Sequence, residues 1–188
     1  MKKVILLILA TFCVIVLIFS YGKPKTINEP HNISFDKNGT YSGFSDLPLN
    51  YTIEDAKEDG CFVVQNLKVV GNNDVWDTFI NTSLHKENTY VRIALFYTDS
   101  TGSPYFLDLF YEDGYYYMFD SSAENQERRP YLHLLTLEGR FGNPVKDSGV
   151  IILTDDGSLT FDKVMKAMLS SNMTYIKSVS PFKLVMFK

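Results

Sequence analysis

Tyr105-Phe106-Leu107-Asp108-Leu109-Phe110-Tyr111-Glu112-Asp113-Gly114-Tyr115-Tyr116-Tyr117-Met118-Phe119-Asp120 is the stretch on which the fold class turns. Successive side chains of a strand point to opposite faces. Tyr105, Leu107, Leu109 and Tyr111 therefore share one face, and Phe106, Asp108, Phe110 and Glu112 the other. Asp113-Gly114 between two such runs signals a tight hairpin, because the favoured type I′ turn needs positive φ at both central residues. Residues 89–98, just upstream, alternate too, with Val91, Ile93, Leu95 and Tyr97 on one face. Three such segments predict an antiparallel meander.

Outside the meander the periodicity changes. Thr52-Ile53-Glu54-Asp55 sets an acid three residues after a capping threonine, the pattern of a capping box, and Gly60 closes the short helix. Residues 61–70 read as one strand and Gly71-Asn72-Asn73 as a turn. Asn73 or Asp74 then caps a helix in which Trp76, Phe79, Ile80 and Leu84 share a face. Residues 131–138 and 150–154 read as two more strands. Thr160 caps a last helix striped with Phe161, Val164, Met165, Met168 and Leu169, which Ser170-Ser171-Asn172 ends. The tail, 175–179 and 182–187, reads as a strand interrupted by Pro181. Helices are too few and too bunched for a doubly wound parallel sheet. The expected fold class is α+β: a single antiparallel sheet with about three helices packed on one face, preceded by an N-terminal transmembrane helix.

That leading element rests on Lys2 and Lys3 followed by an uncharged run, Val4 to Phe19, broken only by Thr11. Eighteen helical residues span about 27 Å, close to the hydrocarbon thickness of a bilayer. The two lysines hold the N-terminus inside and send the rest across. Residues 1–21 are thus a signal anchor or a signal peptide, 22–40 a Pro- and Gly-punctuated stalk, and 41–188 a single extracytoplasmic domain. The expected location is the cell membrane, single-pass through residues 4–21, with the C-terminal domain outside. Ser20-Tyr21-Gly22 matches a small-x-small cleavage site, so a cut before Lys23 would secrete the domain.

Beyond residue 22 there remain 16 basic and 22 acidic residues, a formal charge of −6. An acidic body disfavours nucleic acid, which needs cations facing its phosphates. Cys61 is the one cysteine beyond the apolar run, so no internal disulfide forms there. It reads as a small buried apolar residue.

The central stretch resembles an uncharacterised domain family of small exported or lipid-anchored proteins from Gram-positive bacteria. The resemblance lies in Tyr51 to Lys57, Trp76 to Ile80, Val91-Arg92-Ile93 and Tyr97-Thr98. Its most specific part runs from Gly102-Ser103-Pro104-Tyr105 through Asp108 to Tyr111 and Asp113-Gly114, closing at Phe119-Asp120. It covers about residues 50–122. The lipobox cysteine of some members is missing here, as is the charged loop after the last aspartate. The resemblance implies an envelope compartment and one folded unit, and no activity.

No catalytic pattern stands out. His31, His85 and His133 are scattered, no serine has the flanking glycines of a nucleophile elbow, and no His/Cys cluster has zinc spacing. No cofactor or metal is expected. Asp155-Asp156-Gly157 invites a calcium reading, but a turn into the Thr160 cap accounts for it better. Aromatic residues give the binding hint. Phe96, Phe106, Phe110 and Tyr116 are named as a candidate binding face that stacks on cell-wall sugars or packs on a protein partner; the competing reading is that helices and the N-terminal segment or the tail cover these rings. The expected role is therefore non-catalytic binding at the cell envelope. The alternatives are an envelope hydrolase using carboxylates such as Asp108 and Asp120, and an immunity or inhibitor protein.

Overall fold

The computed structural model describes residues 33–188, apart from 49, 98–103 and 125. The expected transmembrane helix, residues 1–21, lies outside the described residues. Among those described, no helix is long and apolar enough to cross a membrane.

The elements run in the order α1 (Ile53–Glu58), β1 (Phe62–Gln65), β2 (Lys68–Gly71), α2 (Asn73–Leu84), β3 (Thr89–Phe96), β4 (Tyr105–Glu112) and β5 (Tyr115–Asp120). Then follow β6 (His133–Phe141), β7 (Lys146–Thr154), α3 (Phe161–Leu169), α4 (Met173–Ser178) and β8 (Phe182–Phe187). The class is α+β, but the strands form two sheets instead of one. The first has the order β2-β1-β3-β4-β5 and the second β6-β7-β8. The meander β3-β4-β5 is antiparallel as expected, turning through Asp113 and Gly114, both at positive φ. β1, however, pairs with β3 in parallel, Phe62 opposite Ile93. A parallel pair needs a crossover, and α2 supplies it. The first sheet is therefore mixed. The second sheet is antiparallel; just ahead of it Tyr131 forms an isolated bridge with Tyr116 of β5.

Helices do not gather on one face. On one side of the first sheet, Phe62, Val91, Ile93 and Leu109 pack against Phe79 and Trp76 of α2 and against Ile151, Leu153 and Val185 of the second sheet. On the other side, Val63, Ala94 and Phe106 meet Ala56 of α1 and Tyr51, while Phe110 and Phe119 meet Tyr41. α3 covers the far face of the second sheet, setting Phe161, Val164 and Met165 on Val150 and Ile152. A side chain on Gly139 would run into the Phe161 ring, so glycine there lets α3 come close. Rings such as Phe62 and Phe79, each 1 % exposed, contribute about 1.5–3 kcal/mol apiece by leaving water.

Local chemistry accounts for most element ends. Thr52 and Asp55 form the expected capping box: Asp55 N donates to Thr52 Oγ1 at 3.1 Å, and Thr52 N donates to Asp55 Oδ2 at 2.8 Å. Thr160 accepts from Lys163 N at the start of α3. Three expectations are corrected. Residues 61–70 are a hairpin, not one strand, because Asn66 and Leu67 turn the chain at φ 49° and 66°. Asn73 and Asp74, expected as caps, lie inside the first turn of α2; the cap position falls to Asn72, at φ 55°, which makes no capping bond and whose Nδ2 donates instead to the carbonyls of Lys57 and Cys61. Residues 175–179 are not a strand: Asn172 Oδ1 accepts from Thr174 N and Tyr175 N and starts α4. Within the span read as a stalk, residues 33–40 are folded. Phe35 pairs with Tyr41 and sets its ring edge-on to Phe119.

Candidate functional site

The aromatic residues named from sequence do not make a surface. Phe106, Phe110 and Tyr116 are 2 %, 3 % and 8 % exposed, and Phe96 packs on the cluster that holds Phe106. Nor do they share a face. Register places Ala94 opposite Phe106 and Tyr90 opposite Phe110, so Phe96, Phe106 and Phe110 lie under α1 and the N-terminal segment. Tyr116 lies opposite Tyr111 on the reverse side, where it meets Phe79 of α2. The proposed binding face is therefore two halves of a core. Alternation identified the faces, but the cover over each comes from segments distant in sequence.

At the centre of the covered side sits Asp108, fully buried. Arg92 grips it with both prongs, Nε to Oδ1 at 2.7 Å and Nη2 to Oδ2 at 2.6 Å. Tyr41 Oη donates to Oδ2 at 2.8 Å and Tyr90 Oη to Oδ1 at 2.9 Å. Arg92 Nη2 also donates to the carbonyl of Gly43, and the guanidinium lies over the rings of Phe44 and Phe106. Burial, and after it the charge of Asp108, pushes both phenols well above their usual range. Burial alone would lower Arg92, but its hydrogen bonds and ion pair with Asp108 prevail and raise it. Each carboxylate oxygen has two donors, so the group is held and not offered to a substrate. Asp120, the other acid of the hydrolase alternative, pairs opposite Leu107 on the reverse face. Its Oδ1 accepts from Ser122 N and Oγ. The two acids cannot act on one bond.

Asp156 accepts from Ser158 N, Ser158 Oγ and Ser180 Oγ, which lowers its carboxyl to about 2. Asp155 accepts from Leu132 N. No group of three metal-ligating side chains occurs among the described residues. His85 ends α2 with Nδ1 2.7 Å from the Asn81 carbonyl. Cys61 is buried and its thiol is pushed up to about 11, chiefly by burial.

An open site does exist, between the two sheets. A cleft of about 400 Å³ is floored by Val64, Leu95, Leu107 and Val185, with Leu67, Tyr97 and Tyr105 on its rim and Asp120 and Ser122 at its polar side. Leu67 is 53 % and Tyr105 44 % exposed. Leu95 lies opposite Tyr105, and Asn66 N donates to the Phe96 carbonyl. The rim residues thus gather at one end of the first sheet, away from the Asp113-Gly114 turn. Sequence reading missed Leu67 because it counted residues 61–70 as one strand; Asn66 inside that apolar run was the available turn signal.

Comparison of the chain with protein-family models, with curated proteins and with solved structures finds no match.

Proposed function

We propose that the chain is a membrane-tethered, extracytoplasmic binding domain of the bacterial cell envelope, held by residues 4–21 and acting without catalysis on a protein or cell-wall glycan partner. The tether reading is supported by the length and purity of the run Val4 to Phe19. The observation that carries the binding reading is the cleft between the sheets. It is concave, apolar on its floor, rimmed by two tyrosines and supplied with one carboxylate and one hydroxyl, the usual make-up of a ligand site.

The test uses the full chain in detergent, wild type beside a Leu107→Trp variant that fills the floor of the cleft. Both are applied to a cell-wall glycan array and to an envelope extract for capture of proteins. Binding that the wild type shows and the filled variant loses supports the reading. Silence of the wild type on both, or equal binding by the two forms, counts against it.

A further inference from the structure

Among the described residues four strands stand at sheet edges, and three of them are protected. β2 carries an extra residue, Val70, where its register with β1 slips. β8 carries one at Val185, where its register with β7 slips. Such bulges turn an edge away from further pairing. β5 is met by Tyr131, whose N–H and C=O pair with Tyr116, and by Gln126, which donates to the Asp120 carbonyl. β6 has none of these devices. It runs nine residues in unbroken register with β7 and holds neither proline nor lysine.

The free groups of β6 follow from the pairing. Gly149 of β7 donates to the Lys188 carbonyl at 3.0 Å and accepts from Lys188 N at 2.8 Å, so its main chain faces β8. Glu138, opposite Gly149, therefore turns its own N–H and C=O the other way, to the outer edge. Thr136 and Arg140, at the alternate positions, do the same. No described residue pairs with these groups, and all three residues are exposed. Tyr131, two residues before β6, bridges to β5, so the open stretch is the part farther along, Leu137 to Phe141. Beside it lies a groove of about 390 Å³, with Phe141, Phe161, Met165 and Leu169 in its lining, which sets α3 back from the edge. Phe141 and Leu169 are exposed there.

We infer that β6 pairs with β6 of a second copy of the chain, antiparallel about a two-fold axis through Gly139. Outward-facing groups must meet outward-facing groups, so even-numbered residues oppose even-numbered ones. In this register Glu138 faces Arg140 of the second copy, and Arg140 faces its Glu138. Opposite charges facing each other across two strands attract, and like charges repel. The neighbouring registers set Glu138 against Glu138, or Arg140 against Arg140. Glu138 accepts from Lys188 through Oε1, which leaves Oε2 for the arginine, and Arg140 meets Asp147 only at 3.8 Å. On the face that α3 covers, Leu137 lies opposite Phe141 of the second copy, and the two grooves face each other across the axis. The edge thus carries both halves of its own charge pattern, which favours a second copy over an unrelated strand. This pairing goes beyond the binding reading and needs no tether, since the cleft is lined by β8 at the other edge of the second sheet.

A five-residue ladder is a small interface, so dissociation is expected on the order of 10 µM, and the full chain is followed from about 1 to 200 µM by sedimentation equilibrium in density-matched detergent. Glu138→Arg and Arg140→Glu each set like charges opposite one another at both pairs, and each is expected to weaken the dimer about tenfold. Glu138→Arg with Arg140→Glu exchanges the charges and is expected to restore the wild-type value. A monomeric wild type overturns the pairing and leaves the edge to a strand of another protein. A dimer that both single variants leave intact, as association through Val4 to Phe19 would be, also overturns it. So does a double variant no better than the singles. Oxidation reads the register in a Cys13→Ser background. Leu137→Cys with Phe141→Cys is expected to give a disulfide-linked dimer, because facing residues of a non-hydrogen-bonded pair stand about 4.5 Å apart. Leu137→Cys or Phe141→Cys alone is expected to give none. Linkage by a single variant as readily as by the double one moves the axis off Gly139 and overturns the assignment.

Discussion

Arg92 lies side-on to Asp108, with Nε 2.7 Å from one carboxylate oxygen and Nη2 2.6 Å from the other, and water reaches no part of the acid. Such a pair is conspicuous less for the stability it adds than for what its breakage costs. Replacing Asp108 with Ala leaves a buried guanidinium without its partner, which destabilises by about 3–5 kcal/mol. The double replacement Arg92→Met with Asp108→Leu is expected to cost less than the single one, because neither charge is then stranded. Urea unfolding of the three forms checks the order; a double variant worse than Asp108→Ala would overturn it.

Tyr41 contributes in two separable ways. Its hydroxyl donates to Asp108, and its ring stacks on Phe119 at 4.0 Å and 8°. Tyr41→Phe removes only the donor and is expected to cost about 1.5–3 kcal/mol, the range for a hydrogen bond to a charged group. Tyr41→Ala also empties a ring-sized space and should cost about 3–5 kcal/mol. The gap between the two, read from denaturant midpoints, isolates the contribution of the ring.

Leu67→Gly should stabilise the domain. Glycine accepts φ 66° without a steric penalty, and an exposed leucine has little packing to lose. A gain of about 1 kcal/mol is expected, visible as a rise in Tm. A fall in Tm would mean that the leucine side chain holds the hairpin together.

Cys61 should resist modification. Burial raises its thiol to about 11, so thiolate is scarce in the native state at neutral pH. In a Cys13→Ser form, maleimide at pH 8 is expected to label Cys61 only after denaturant is added. Because the native value lies above the ordinary thiol value of 9.0, this group favours the native state below that pH. The contribution fades as pH rises from there through about 11. Prompt native labelling at pH 8 would show that the site opens.

Asp156 supplies the opposite pH dependence. Its carboxyl is lowered from 3.8 to about 2 by hydrogen bonds from Ser180 and Ser158. It therefore favours the native state above about pH 4, and this is lost as pH falls toward 2. Asp156→Ala should lower Tm at pH 7, and the difference from wild type should shrink at pH 2. A difference that stays constant across this range would assign the effect to packing.

What could be read in the sequence was whatever depends on neighbours along the chain. The Thr52–Asp55 box, the Asp113-Gly114 turn and the α3 stripe all follow from residues adjacent or three to four apart. The parallel pairing of β1 with β3 joins residues about thirty positions apart, and no local pattern encodes it. The split into two sheets is likewise set by what covers each face. The candidate face failed for the same reason. Phe106 and Phe110 alternate like surface residues, yet α1 and Tyr41 lie over them. The buried setting of Asp108 was equally hidden, because its three partners, Tyr41, Tyr90 and Arg92, lie 67, 18 and 16 residues away. The cleft was hidden behind one misplaced turn.

The layer that carries Ile33, Tyr41, Phe44 and Tyr51 leaves the domain with unequal tolerance to cutting. A tag spliced ahead of Ile33 leaves the lining of the sheet in place. Scission between Phe44 and Tyr51 frees the strip that carries Tyr41, and diffusion then strips Phe110 and Phe119 of their shelter. The trimmed fragment would clump instead of unfolding cleanly, so a protease that nicks this one loop would dispose of the whole molecule.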